Sequence, residues 1–337
     1  MTNVRLSPGE LEQRVAAALV ASRTAPDTAA SVARALTQAE VDGQRGHGIS
    51  RVPSYAAQAK AGKVDGFARP AIAATRPGAL MIDVAHGFAY PAFDTALPAL
   101  ADAACANGIA AAAFHRSHHC GVAGWHVERL AMSGCVGLLF ANTPKAMAAW
   151  GGKQALFGTN PIAFAAPRGD GAPLVVDLAL SQVARGKILL AQQNGERIPA
   201  GWAVDIEGRA TTDPAEALEG TLTPIGGAKG AALAIMVELL AVALTGAVAS
   251  RDATSFFNAD GAPPGVGQFM IAVAPGAFAG GATFEDRAAS LFDAISSEPG
   301  VRLPGSRRLA ARAAALRDGV AVDNALLAEI DRLAATG

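Results

Sequence analysis

The spacing of apolar positions changes twice along this chain. Up to about residue 61 apolar residues recur every three or four positions, the period of a helix with one buried face. Ser7-Pro8-Gly9-Glu10 has the makings of a helix start: a serine to cap, a proline at the first helical position and a glutamate to close a capping box. Helices are predicted over 7–22, over 27–42 with apolar positions Ala30, Val32, Ala33, Leu36 and Ala39, and over 55–61. After Pro70 short apolar runs take over, and 80–84, 109–114, 136–141, 162–166, 174–177 and 269–273 read as strands. Between them helical spacing predicts 91–107, with Pro98 a kink or a later start, and also 124–133, 181–193 and 227–244. Helical spacing returns over 284–297 and 323–335. The sum is a mixed α/β fold. It divides into an N-terminal helical segment (1–70), an α/β domain (71–290) and a C-terminal helical segment (291–337) packing back on the N-terminal region.

Composition narrows the function. Hydrophobic residues make up 51% of the 337, but aromatics only 5%, so the core must be built from Ala, Val, Leu and Ile. A net charge of −1 with dispersed cations argues against a nucleic-acid or anionic-membrane surface. The most apolar stretch, 231–249, contains Glu238 and reads as a core helix rather than a membrane span. Cys105, Cys120 and Cys135 match neither a disulfide framework nor a zinc ribbon. Idle thiols and a polar N-terminus point to the reducing cytoplasm.

The candidate chemistry centres on Gly46-His47-Gly48-Ile49-Ser50-Arg51. A histidine can move a proton near neutral pH, and an arginine can grip a carboxylate with two parallel hydrogen bonds. The pair suits an enzyme acting on the carbon next to a carboxylate. No Gly-x-Gly-x-x-Gly or Walker sequence occurs. Two glycine loops could still take a phosphate. Gly226-Gly227-Ala228-Lys229-Gly230 opens the long apolar helix, where backbone N–H groups and a lysine make an anion site, although the same loop suits tight core packing. Leu303-Pro304-Gly305-Ser306-Arg307-Arg308 offers two arginines to a group such as the 2′-phosphate of NADP, or forms a solvated basic turn. His115, His118, His119 and His126 lack the ligands that would complete a metal set, so no metal is expected, and His115–His119 reads as a polar loop. Asp177 ends an apolar strand, where it could orient a histidine, bind a ribose hydroxyl or cap the next helix. Lys187 is either an electrostatic or acid group, or an exposed helical lysine.

In order along almost the whole chain, several motifs resemble the non-Rossmann malate/L-lactate dehydrogenase family. They are Gly46-His47-Gly48 with Arg51 and Tyr55, His118-His119-Cys120-Gly121-Val122-Ala123-Gly124, Asn142-Thr143-Pro144, Trp150-Gly151-Gly152, Gly158-Thr159-Asn160-Pro161 and Gly226–Gly230. Ile198-Pro199-Ala200-Gly201-Trp202-Ala203, Gly227–Ala234 and Ser255-Phe256-Phe257 to Gly267-Gln268 resemble most the family's reductases of Δ1-piperideine-2-carboxylate and Δ1-pyrroline-2-carboxylate. The resemblance implies a non-Rossmann NAD(P)-binding domain over 71–290 and a homodimer with the active site near the interface. His47 matches the proton donor, Arg51 the residue gripping the substrate carboxylate, and Thr159 a second substrate contact. His119, Cys120, Gly121, Val122 and Ala123 match a cofactor-binding stretch, as do Asp177, Leu178 and Ala179, then Ala228 and Lys229, then Pro304 to Ala310 with Gly305, Ser306, Arg307 and Arg308. NADPH is the implied cofactor, NADH the weaker one. The chain departs at Gly46, where many members have serine, and at Lys187, where the ketimine reductases carry an acidic residue and other members lysine. The expectation is NADPH-dependent reduction of cyclic ketimines, with a 2-hydroxy acid dehydrogenase and a catalytically impaired homologue as alternatives.

Overall fold

The computed structural model describes residues 3–169, 171–278 and 281–335, with the side chains of 281 and 282 set aside. Helix α1 (Pro8–Val20) begins on the capping box: Ser7 Oγ accepts from the Glu10 N–H, and the Glu10 carboxylate accepts from the Ser7 N–H at 2.9 Å. It packs on α2 (Pro26–Val41), which buries Ala29, Val32, Ala33 and Leu36, and on α11 (Asn324–Ala335). Helix α3 (Val52–Ala61) completes this core, ending on Gly62 in the left-handed region at φ 77°. Strand β1 (Asn3–Leu6) pairs antiparallel with β14 (Val320–Asp323), so the two ends of the chain share one small sheet and one core.

A seven-stranded sheet forms the centre. Its order is β2 (Ala71–Arg76), β3 (Ala79–Asp83), β4 (Ile109–Ser117), β13 (Val266–Val273), β5 (Val136–Ala141), β8 (Ile162–Ala166) and β9 (Leu174–Leu178). Only β3 and β4 run parallel, joined by the crossover helix α4 (Ala89–Asn107); the other neighbours are antiparallel. Doubly wound nucleotide-binding sheets are instead mostly parallel. Helix α4 starts at Ala89 and runs through Pro98. With α5 (Ala123–Met132) it covers one sheet face, where alanines let backbones approach and Phe93 stacks between Phe114 and His126 at 4.4 and 3.8 Å.

A second layer holds a five-stranded sheet of short pieces, in the order β11 (Ala210–Thr211), β10 (Ala203–Val204), β12 (Thr221–Leu222), β6 (Met147–Ala148) and β7 (Ala155–Phe157). It shares a third core with α6 (Arg185–Asn194), α7 (Pro214–Glu219) and α8 (Ala228–Glu238). The helix expected over 227–244 continues past α8 as a π-helical turn, Leu239–Ala243. Toward the C-terminus lie α9 (Gly281–Ser296) and α10 (Ser306–Asp318). Among the described residues no helix is long and apolar enough to cross a membrane.

Candidate active site

His47 sits in a pair of 3-10 turns, Arg45–His47 and Ile49–Arg51, between α2 and α3. Buried Glu40 sets their path by accepting from the Ile49 N–H at 3.0 Å. A Cβ on Gly48 would lie 2.2 Å from Glu40 Oε1, so a larger residue here would have to displace the Glu40 carboxylate. At Gly46 a Cβ would meet nothing within 4 Å, so a serine side chain has room there.

Burial pushes the His47 imidazole down to about 4, and positive Arg51 adds to the effect, so the ring is neutral at physiological pH. Arg51 donates to the Gly46 carbonyl at 2.8 Å and lies over the Phe257 ring at 4.4 Å. It has no acidic partner among the described residues, and its Nη1, like His47 Nδ1, is buried with no hydrogen bond. A cation and a ring nitrogen side by side, both unsatisfied, are a receptor for an anionic, hydrogen-bonding ligand.

The segment read as a polar loop is otherwise. Strand β4 runs on to Ser117, and His118 and His119 are buried behind His47. Desolvation holds both far below the usual histidine range, His118 at about 3. Neutral rings can pack as aromatics, and His119 stacks on His47 with centroids 5.3 Å apart. Phe256 packs on His118 and His119 at 5.4 and 5.1 Å. Gln58 pins this cover, pairing with His118 Nε2 at 2.9 Å and donating to the Phe256 carbonyl at 2.8 Å.

Three of the four expected cofactor segments converge. The Asp177 carboxylate accepts from the Gly124 N–H at 2.8 Å, next to Cys120, Gly121, Val122 and Ala123, and burial raises its pKa. A Cβ on Gly305 would lie 3.3 Å from the Val175 carbonyl, bringing the start of α10 against β9. Leu178 and Ala179 are exposed beside them. Leu180 ties this strand end to the remaining pieces: its N–H donates to the Thr159 carbonyl and its carbonyl accepts from Ile225, both at 2.8 Å, ahead of Ala228 and Lys229. Thr159 is steadied by Thr143 Oγ1, which accepts from its N–H at 2.9 Å. Lys187 is exposed near the start of α6, and no described hydrogen bond or ion pair connects it with His47.

Arg308 requires a correction. Residues 306–318 form helix α10, and Arg308 is turned inward into a buried ion cluster. It donates to both Glu128 oxygens at 2.7 and 2.9 Å, and Arg312 bridges Glu128 and Asp42 with bonds of 2.7 to 3.1 Å. Burial alone would raise the Glu128 pKa, but its bonds to Arg312 and Arg308 prevail and leave it lowered. The two terminal nitrogens of Arg308 are engaged by these carboxylates, while its Nε is buried without a hydrogen-bond partner. Ser306 turns its hydroxyl back onto the Leu303 carbonyl, leaving exposed Arg307 as the cation at this helix start. Glu40, Asp42 and Glu128 went unnoticed in the sequence; the signal was a carboxylate on the apolar face of a helix, as where Glu128 adjoins Val127, Leu130 and Ala131.

Residues 6–331 match the family model described as malate/L-lactate dehydrogenase. The chain belongs to the malate/L-lactate dehydrogenase family, and it is an oxidoreductase. It is 49% identical over 309 residues to a (2R)-3-sulfolactate dehydrogenase (NADP(+)) of Chromohalobacter salexigens, covering 91% of each chain. It is 41% identical over 337 residues to a Δ1-pyrroline-2-carboxylate reductase of Ancylobacter novellus, covering 99% of this chain and 98% of that one. The crystal structure of Δ1-piperideine-2-carboxylate reductase from Pseudomonas syringae superposes with a TM-score of 0.93 at 36% identity, over 98% of this chain and 99% of that one.

Glu40 generates a test within this site. Burial raises its pKa from 4.5 to about 7, against the lowering effects of the Ile49 N–H and Arg45. The protonated form therefore stabilises the fold fully below 4.5, and that contribution is lost as pH rises through about 7. A Glu40→Gln variant keeps the acceptor without the charge. Its melting temperature should exceed that of the wild type above pH 7 by the equivalent of about 2–3 kcal/mol, with the two curves converging near pH 5. Parallel curves from pH 5 to 9 would refute this.

Proposed function

We propose that this chain is an NADPH-dependent reductase of cyclic imines bearing a 2-carboxylate, Δ1-pyrroline-2-carboxylate and Δ1-piperideine-2-carboxylate, yielding L-proline and L-pipecolate. The observation that carries the reading is the neutral His47 beside an Arg51 without an acidic partner. Arg51 grips the substrate carboxylate through two parallel hydrogen bonds. A basic imine nitrogen can arrive already protonated, whereas a ketone oxygen must be given a proton, for which a neutral imidazole is a far weaker acid than an imidazolium. The positive nitrogen drains electron density from C2 and makes it the better hydride acceptor. Once the carboxylate offsets Arg51, the lesser of the two causes that depress His47 is removed, burial being the larger, and His47 can accept from the iminium N–H and so keep the proton on the nitrogen. Such general acid–base assistance supplies ~10²–10⁴-fold. Thr159 contributes a second contact to the substrate.

The residues present suit a dinucleotide. Gly124 and Gly305 bring backbone against β9 where a side chain would crowd, Asp177 can accept from a ribose hydroxyl, and Arg307 is an exposed cation at a helix start. Bound there with Cys120–Ala123, Asp177–Ala179 and Ala228-Lys229, NADPH supplies the hydride. Without a 2′-phosphate for Arg307, NADH binds more weakly.

A second reading keeps the site and the cofactor and reduces a 2-keto acid to a 2-hydroxy acid, with His47 protonating the carbonyl oxygen. One observation favours it: the relative at 49% identity is a sulfolactate dehydrogenase (NADP(+)). In either case a homodimer is supported by α8 and the turn after it, which bury Ala231, Ala234, Val237 and Ala241 but expose Leu233, Met236, Leu239 and Leu244.

Purified protein with NADPH should turn over the two cyclic imines at least about 10-fold faster than pyruvate, oxaloacetate or 3-sulfopyruvate, and His47→Ala should lose ~10²–10⁴-fold. Equal or faster keto-acid reduction would move the assignment to the second reading, and no turnover of any of them would leave a non-catalytic homologue. Arg307→Ala should raise KM for NADPH about 10- to 100-fold while sparing NADH, as expected for one lost phosphate contact. Arg308→Ala should instead lower unfolding free energy by about 3–5 kcal/mol in urea titrations, leaving a buried carboxylate short of a partner. Light scattering should give twice the chain mass, and Leu239→Glu should halve it.

A further inference from the structure

Three aromatic side chains behind His47 form one continuous hydrogen-bonded file. Tyr90 on α4 and Tyr55 on α3 have their hydroxyls 3.1 Å apart, and Tyr55 Oη is 2.6 Å from His119 Nδ1. Both phenols are buried, at 1% and 0% exposure, so each proton needs an acceptor. Among the described residues Tyr90 has no hydrogen-bond partner other than Tyr55, and its proton therefore goes there. Tyr55 then gives its own proton to His119 Nδ1. The reverse order would strand the Tyr90 proton in an apolar core, which is costly. His119 is uncharged because burial, with Arg51 and His47 nearby, disfavours its cation. A neutral imidazole that accepts at Nδ1 carries its proton on Nε2. That ring stacks on His47 at an interplanar angle of 23°. Gly46, meanwhile, offers no hydroxyl to this site.

We propose that Tyr90 and Tyr55 lock His119 as its Nε2–H tautomer, and that this N–H donates a hydrogen bond to the bound substrate beside His47. The inference rests on the oxidoreductase reading above and deepens it. His119 contacts substrate, while Tyr55 and Tyr90 act through it as positioning residues. The file supplies a donor fixed in direction, where related sites can use the serine that is absent here.

The test uses two amides. In His119→Gln the side-chain nitrogen falls near the Nε2 position, and in His119→Asn near Nδ1. Gln should keep kcat/KM within about 10-fold of the wild type and Asn should lose about 100-fold or more, the range of one charge-assisted hydrogen bond. Tyr55→Phe should cost about 10-fold in the wild type, Tyr90→Phe less, and neither should cost anything further in His119→Gln, which has no Nδ1 to orient. KM for NADPH should change by much less than kcat/KM throughout. Asn matching or exceeding Gln, additive losses from Tyr55→Phe in the Gln background, or an effect confined to KM for NADPH would overturn the proposal. Two readouts do not depend on turnover. Affinity for pyrrole-2-carboxylate should rank wild type, Gln, Asn, and the ¹⁵N NMR of His119 should show an unprotonated Nδ1 that shifts in Tyr55→Phe. A protonated Nδ1 would overturn the tautomer even in a protein that reduces none of the substrates tested.

Discussion

Two carboxylates and two guanidiniums, buried together, hold this site in shape. Asp42 lies at the end of α2, five residues before His47. Glu128 lies on α5, one turn past the segment that meets Asp177. Arg308 and Arg312 come from α10, nearly two hundred residues farther on. Each carboxylate is held by both guanidiniums, so removing any one charge leaves the other three unbalanced in a low-dielectric setting, a loss of about 3–5 kcal/mol. Arginine is suited to both cation positions because its planar fork can bridge two carboxylates at once, whereas lysine presents a single point of charge. The cluster thereby ties the end of α2 just before the His47 turns, helix α5 and helix α10 to one another, and it explains why Arg308 turns inward while its neighbour Arg307 faces solvent.

The site itself is built on the opposite electrostatic logic. Arg51 is left without a counterion, and its field helps to keep His47 and His119 neutral. A ligand that brings a carboxylate completes the charge balance and changes the protonation behaviour of the residues around it. Phe256, buried against His118 and His119, lowers the dielectric around those rings, whereas Phe257 lies over Arg51 and faces solvent.

Much of the framework could be read locally. The Ser7–Glu10 capping box, the apolar face of α2, the strands around 109–114 and 136–141 and the helix after residue 227 depend on neighbours within a few positions, and each is present within a few residues of its expected span. The pieces that went unread are held by distant partners. Strands β1 and β14 exist because they pair with each other across the whole chain, and the two-residue strands of the smaller sheet have no periodicity to detect. Helix α10 hid behind a Pro-Gly-Ser-Arg-Arg run that has the composition of a turn.

The same division runs through the chemistry. Residue types and order alone were enough to single out His47 with Arg51 as a candidate pair, and to recognise the family through its ordered glycine motifs. Those features are local because a loop loosened by glycines and a histidine four residues from an arginine are chain-neighbour relations. Only the tertiary structure decided which charges are free and which are spent. Arg308 and Arg307 are adjacent and chemically alike, yet one is buried against Asp42 and Glu128 and the other is exposed, because a helix turns them about 100° apart. His118 and His119 changed from a polar loop to a neutral aromatic wall for the same reason: burial, the quantity that sets charge state, is a property of everything packed around a side chain and not of its place in the sequence.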